Sequence, residues 1–413
     1  MGLIRRLLLP DGAEPAALPL LCGRALRALV DGYVAVLLPA YLIALGFGTW
    51  EVGVLATTTL AGSALATLAL GAWGHRFHHA DLLRATALLM AATGFAFALG
   101  SAYWPLLLVA FVGTLNPSSG DVSVFLPLEH ARLADAAQGP ARTTLFARYS
   151  LLGALFAALG ALAAGAPDWL AQHTTLSRVS ALRAMFFGYG VVGLGVWWLY
   201  RRLPAPHAGA PRQPAALSTS RPVVLRLAAL FSIDSFAGGL VINALLALWL
   251  FRRFDLSLTA AGSFFFWAGL ASAASQLVAP LLARRIGLLN TMVFTHIPAS
   301  LCLIAAAFAP QVEVALALML LRSLLSQMDV PARGAFVMAV VTPEERTAAA
   351  SFTAVPRSLA AAASPALGGA LFAAGWLAAP LVACGVLKIS YDLALWFAFR
   401  RVAAHHGTAT SAD

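Results

Sequence analysis

Apolar residues in this chain come in blocks of about 20, separated by short polar joints, and that spacing constrains the fold more than any other feature. A helix of that length matches the hydrocarbon depth of a bilayer. Inside the bilayer every backbone N–H and C=O must be satisfied within the structure, so blocks of this kind predict membrane-spanning helices. Composition agrees: 61% of the 413 residues are hydrophobic and 11% charged, whereas a soluble domain needs about a quarter of its residues charged. The chain therefore reads as an all-α integral membrane protein with the lipid bilayer as a partner. Twelve transmembrane helices are expected, over residues 18–46, 51–73, 82–101, 104–128, 144–166, 181–200, 223–251, 258–282, 289–309, 312–341, 347–374 and 377–399.

The net charge of +10 does not mark a nucleic-acid surface, because the basic residues sit in the joints instead of forming one face. With the N-terminus placed in the cytoplasm, the cytoplasmic joints and tails hold sixteen arginines and the opposite side four (Arg178, Arg183, Arg252 and Arg253). That bias predicts both termini on the cytoplasmic side. The first residues, MGLIRRLLLP, have too short an apolar run for a signal peptide, so the first hydrophobic helix is expected in the mature protein. Cys22, Cys302 and Cys384 lie far apart inside apolar blocks and predict no disulfide framework.

The longest polar joint, residues 201–221, is rich in Pro, Ala and Arg and reads as a flexible cytoplasmic linker. It separates two segments, 1–200 and 222–413, that match at a nearly constant offset. Gly53 and Gly262, Arg76 and Arg285, Arg148 and Arg357, and Gly160 and Gly369 are each 209 residues apart; Asp121 and Asp329 are 208 apart. Such a repeat predicts two pseudo-symmetric six-helix bundles, an arrangement typical of secondary transporters.

Arginines inside apolar blocks are costly unless they face a bundle interior, a partner charge or a water-filled cavity. Between Leu316 and Ser358, Arg322, Ser326, Asp329 and Arg333 follow one another at spacings of 4, 3 and 4. On a continuous helix that puts all four on one face, within roughly 60°. Arg27 and Asp31, Asp329 and Arg333, and Lys388 and Asp392 are each four residues apart, so intrahelical pairs are available to all three. Lys388 is the only lysine among 27 basic residues, and a neutralising pair with Asp392 is the expected reading for it. Asp121 and Asp234 have no basic residue at that spacing. Desolvated carboxylates of that kind are candidates for binding and releasing protons. Asp121 follows Asn116, Pro117 and Gly120, which can loosen a helix where it borders a pathway.

With twelve expected helices, a six-helix repeat and a basic central loop, the chain resembles the major facilitator superfamily over its whole length. The family's signature G-x-x-x-D-R-x-G-R after helix 2 is met by GAWGHRFHH, where Gly71 and Arg76 match while His75 and His78 replace Asp and Gly. In the second copy, PLLARRIGLL, Arg285 and Gly287 are kept while Pro280 and Arg284 replace Gly and Asp. The gating ion pair usual for this motif thus lacks its aspartate at both places. The block from Glu345 to Gly369 resembles bacterial drug and metabolite permeases of the superfamily.

The resemblance implies a central cavity lined by helices 1, 4, 7 and 10, each of which carries one aspartate in its middle portion: Asp31, Asp121, Asp234 and Asp329. It implies a monomer of the inner (cytoplasmic) membrane that moves a small-molecule substrate by alternating access; the buried carboxylates point to protons as the coupling ion, and export is the expected direction. Asn116, Arg322 and Arg333 join the aspartates as pathway candidates, Arg322 as an anion-binding group. Arg76, Arg148, Arg285 and Arg357 are candidates for gates or anchors. A transporter-like sensor and an intramembrane enzyme are the alternatives. A phosphate-binding loop needs Gly-Lys-Ser/Thr, which the single lysine after Leu387 does not supply, and neither H-E-x-x-H nor G-x-S-x-G occurs. No metal site and no cofactor are expected.

Overall fold

In the computed structural model, residues 9–73, 76–118, 123–203, 218, 220–342 and 345–407 are described. Asp121, His75 and residues 204–217 and 219 of the expected linker lie outside them. The described residues form α1 Ala17–Ala44, α2 Thr49–Trp73, α3 His79–Leu99, α4 Tyr103–Val112, α5 Phe125–Asp135, α6 Gly139–Ala163, α7 Ala166–His173, α8 Arg178–Tyr200 and α9 Arg221–Gly239. The helices continue with α10 Asn243–Phe254, α11 Leu258–Ile286, α12 Leu288–Ala307, α13 Val312–Ser326, α14 Asp329–Val340, α15 Arg346–Ala363, α16 Pro365–Ala373 and α17 Ala379–Gly407. Among the described residues, ten helical stretches are long and apolar enough to cross a membrane. Leu99, Trp104, Leu277, Phe308 and Trp376 are more than half exposed, which suits a surface solvated by lipid and not by water.

Several expected spans are interrupted. The block 104–128 is two helices, because α4 ends at Gly113 and the Asn116–Pro117 turn intervenes before α5. The block 223–251 divides between α9 and α10, and 312–341 divides between α13 and α14. In 347–374 the interruption falls at Ser364, where Pro365 opens α16 and cannot donate to the preceding turn. In the 104–128 interruption two backbone carbonyls find protein partners, which suits a break at membrane depth. The Thr114 carbonyl accepts from the Tyr189 hydroxyl at 3.0 Å, and the Pro117 carbonyl accepts from Ala244 N–H, in the first turn of α10, at 3.0 Å.

Two compact units result, Met1–Gly209 with Ile242–Phe266, and Ala210–Val241 with Trp267–Asp413. In the first, α3 packs on α8, and α1 on α6 and α8. In the second, α12 packs on α17, and α9 on α15 and α17. Small residues permit these approaches. A Cβ at Gly160 would meet the Leu29 carbonyl, and one at Gly32 the Ala157 carbonyl, so α1 and α6 touch through backbone. The second unit's apolar core includes Leu227, Phe231, Met292, Phe336, Tyr391 and Phe399.

At the joint before α15, Glu345 accepts from Ser218 N–H (2.9 Å), the Ser218 hydroxyl (2.6 Å) and Ser220 N–H (2.9 Å). Those donors favour its charged form and hold its carboxyl down at about 2. The depressed value means that the clamp holds above the ordinary carboxylate range and is lost as pH falls towards about 2. Glu345→Ala should speed hydrogen exchange of the Ser218 and Ser220 amides about tenfold at neutral pH, a difference that fades on strong acidification. Equal exchange in both proteins at neutral pH would show that the clamp does not restrain this segment.

Candidate functional site

Each unit buries its own charge cluster. In the first, Glu129 of α5 is fully buried and accepts from Arg27 of α1, Tyr149 of α6 and Tyr200 of α8. The Arg27 guanidinium also lies 3.9 Å over the Phe125 ring. One carboxylate thus ties four helices together. Arg27 spends its charge on Glu129, and the Arg27–Asp31 pair that their spacing allows is not closed. Asp31 is half-buried near Arg24, Arg27 and Tyr189, and forms no ion pair within 4 Å among the described residues. Asn116 is buried, and its side-chain oxygen accepts from Ser118 N–H (3.1 Å) and hydroxyl (2.8 Å), so it shapes the turn in the broken span. Arg148 keeps one buried guanidinium nitrogen without a partner among the described residues.

The second cluster is centred on Asp234 of α9. Lys388 of α17 donates to its Oδ1 at 2.5 Å and Arg333 of α14 to its Oδ2 at 3.1 Å, while His296 Nε2 of α12 stands 3.9 Å from Oδ1. Asp234 is therefore not the unpartnered acid that its own helix suggests. The same Arg333 nitrogen lies 3.3 Å from Asp329 Oδ2, so that intrahelical pair forms as its spacing predicts. The Lys388–Asp392 pair does not form. Lys388 reaches across to Asp234, and Asp392 takes His296 Nδ1 at 3.0 Å. An i,i+4 spacing only offers a pair, and a carboxylate on a packed neighbour outcompetes it.

The single polar stripe expected from Arg322 to Arg333 is broken as well. The interruption between α13 and α14 puts Asp329 in the first turn of α14, where a helix N-terminus favours negative charge. Arg322 and Ser326 stay on α13, with Arg322 near Cys302 and Cys384 and in no ion pair among the described residues. Arg357 of α15 donates through Nε to the Ser235 hydroxyl at 3.2 Å. Arg76 and Arg285 are exposed. Among the described residues no group of three or more His, Cys, Asp or Glu side chains is arranged to hold a metal ion.

Glu129 and His296 went unmarked in the sequence. Glu129 looked like part of a cytoplasmic joint, and His296 sits in an apolar block with no charged residue within four positions. Nothing local identifies either one; their partners lie 20 to 102 residues away.

Apolar helices of membrane-crossing length, several of them interrupted, and buried ion pairs within each unit define a polytopic membrane protein of the all-helical kind. The chain belongs to the Major Facilitator Superfamily, whose family model matches residues 20–325, and it is a transporter, not an enzyme. It is 22% identical over 410 residues to the uncharacterized membrane protein YJR124C of Saccharomyces cerevisiae, covering 90% of this chain and 91% of that one. Its fold is similar to that of a D-xylose-proton symporter (TM-score 0.71, 16% identity, 92% of this chain and 97% of that one). It is also similar to the nucleoside transporter NupG (TM-score 0.69, 14% identity, 93% and 99%). A third similar structure is a bacterial homologue of the human lysosomal transporter Spinster, inward-facing and occupied (TM-score 0.69, 16% identity, 93% and 96%).

Proposed function

We propose that this protein is a secondary active transporter that moves a small organic solute by alternating access, coupled to protons and running in the export direction. Its architecture in this reading is twelve spans in two six-helix halves, residues 1–200 and 222–413, joined by a cytoplasmic linker at 201–221. The repeated pairing of α3 with α8 and α12 with α17, and of α1 with α6 and α9 with α15, supports the two halves. The arginine bias supports cytoplasmic termini in an inner membrane, with the chain acting as a monomer.

The observation that carries the functional reading is the buried cluster on Asp234, where acids and bases from α9, α12, α14 and α17 meet at membrane depth. The similar D-xylose-proton symporter supports protons as the coupling ion, and Asp121 remains the candidate in the first half. Arg322, unpaired among the described residues, is the group proposed to meet an anionic or polar part of the substrate. Arg148 and Arg357 act as matched cytoplasmic-side gates or anchors.

The test is flux in proteoliposomes against a panel of labelled nucleosides, sugars and amphipathic drugs, with and without a pH gradient. At least one compound should move faster with the gradient, and Asp234→Asn should abolish that acceleration while leaving exchange measurable. Binding without flux would instead mark a transporter-like sensor. Flux indifferent to the gradient would remove proton coupling.

A further inference from the structure

The transport reading leaves one buried pair without a task. His296 on α12 presents Nδ1 to both Asp392 oxygens, at 3.0 and 3.1 Å, and Nε2 to the Lys388 ammonium at 3.4 Å and to Asp234 Oδ1 at 3.9 Å. A carboxylate at Nδ1 fixes that nitrogen as the N–H donor of a neutral imidazole and leaves the Nε2 lone pair free to accept. A proton arriving at Nε2 would make an imidazolium flanked by Asp392 on one nitrogen and Asp234 on the other.

Within ion-pair distance the acids outnumber the fixed cations. Asp234, Asp329 and Asp392 supply three negative charges, against two from Arg333 and Lys388 within ion-pair distance. The other charged and titratable groups near the cluster are Arg357, which interacts with Asp234 and Asp329 and donates to Ser235, and Cys384, which lies near Lys388 and Asp234; Arg322 on α13 lies near Cys384 and Cys302. Tyr391, next to Asp392 on α17, has its hydroxyl buried without a hydrogen-bond partner among the described residues. The cluster therefore still holds an uncommitted donor and acceptor.

We propose that the His296–Asp392 pair is a proton-binding site of this transporter, taking up one proton at Nε2 and releasing it as the Lys388–Asp234 contact opens and closes. Only a proton moves. An N–H bond forms at Nε2 from the imidazole lone pair, an O–H bond of hydronium breaks, and Lys388 keeps its three protons while its hydrogen bonding shifts wholly to Asp234. This rests on the proton-coupled reading, and its test does not depend on knowing the substrate.

Full-length protein labelled with 15N-histidine is placed in lipid nanodiscs, and the imidazole nitrogens are followed by NMR from about pH 8 to about pH 5, where histidine ordinarily titrates. His296→Gln identifies the His296 signals; His296→Asn does so if the first variant is not recovered folded. We expect a neutral Nδ1–H tautomer at the upper end, both nitrogens protonated at the lower end, and loss of the doubly protonated signal in Asp392→Asn. A His296 that stays neutral down to about pH 5, one already doubly protonated at about pH 8, or an Asp392→Asn variant that titrates like the parent would each overturn the proposal. Gradient-driven flux with a non-titrating His296 refutes the proton site alone; gradient-independent flux with a titrating His296 refutes coupling alone.

Discussion

Asp234→Ala should lower the unfolding free energy of the protein by about 3–5 kcal/mol, the usual range for breaking a buried ion pair by removing one partner. The loss is large because it strands one buried cation and takes from another one of its two partners. Lys388 forms its one ion pair among the described residues with Asp234, whereas Arg333 keeps Asp329. For the same reason Asp329→Ala should cost less, since Arg333 retains Asp234. Combining Asp234→Ala with Lys388→Met removes the stranded ammonium and should restore much of the lost stability. Denaturant unfolding of the purified protein in detergent, compared across these three variants and the parent, reads the effect. A single variant as stable as the parent, or a double variant no better than the single one, would show that the cluster is solvated and not a buried ion pair.

Glu129→Ala is expected to be comparably damaging in the first unit, again by about 3–5 kcal/mol. It strands the Arg27 guanidinium and two phenol hydroxyls at a point where α1, α5, α6 and α8 meet. Glu129→Gln keeps an acceptor but loses the charge, so it separates the two contributions. If Gln is nearly as harmful as Ala, the uncompensated Arg27 dominates; if Gln is mild, the tyrosine hydrogen bonds do. Adding Arg27→Met to Glu129→Gln should recover stability in the first case. The assignment fails if Glu129→Ala melts with the parent.

Much of the fold is legible in the sequence because the bilayer imposes one length on every span, and a span's apolar block survives even where its helix is interrupted. The interruptions are legible only in part. Pro117 and Gly120 announce a loosened helix, and Pro331, in the first turn of α14, is the fainter cue to the break at Gln327–Met328, where α13 stops and α14 begins. Among charged residues, spacing along one helix foretold Asp329 with Arg333 but misassigned Lys388 and Arg27. Those two long side chains reach carboxylates on other helices, a choice made by packing and not by sequence neighbours. His296 shows the same limit, since an imidazole in an apolar block takes its meaning from the Asp392 that α17 brings to it.

The hydrogen bond from Ala244 N–H to the Pro117 carbonyl has a consequence for how this protein can vary. It joins two helix interruptions through main-chain atoms alone, so what it demands is a backbone course and not a side chain. At position 244 any residue small enough for its buried site would serve, with proline excluded because it has no N–H to give. At position 117 the carbonyl is common to all residues, and proline matters for the turn it imposes. Two proteins could therefore share this joint while sharing neither residue, and a comparison of side-chain identities would pass over it.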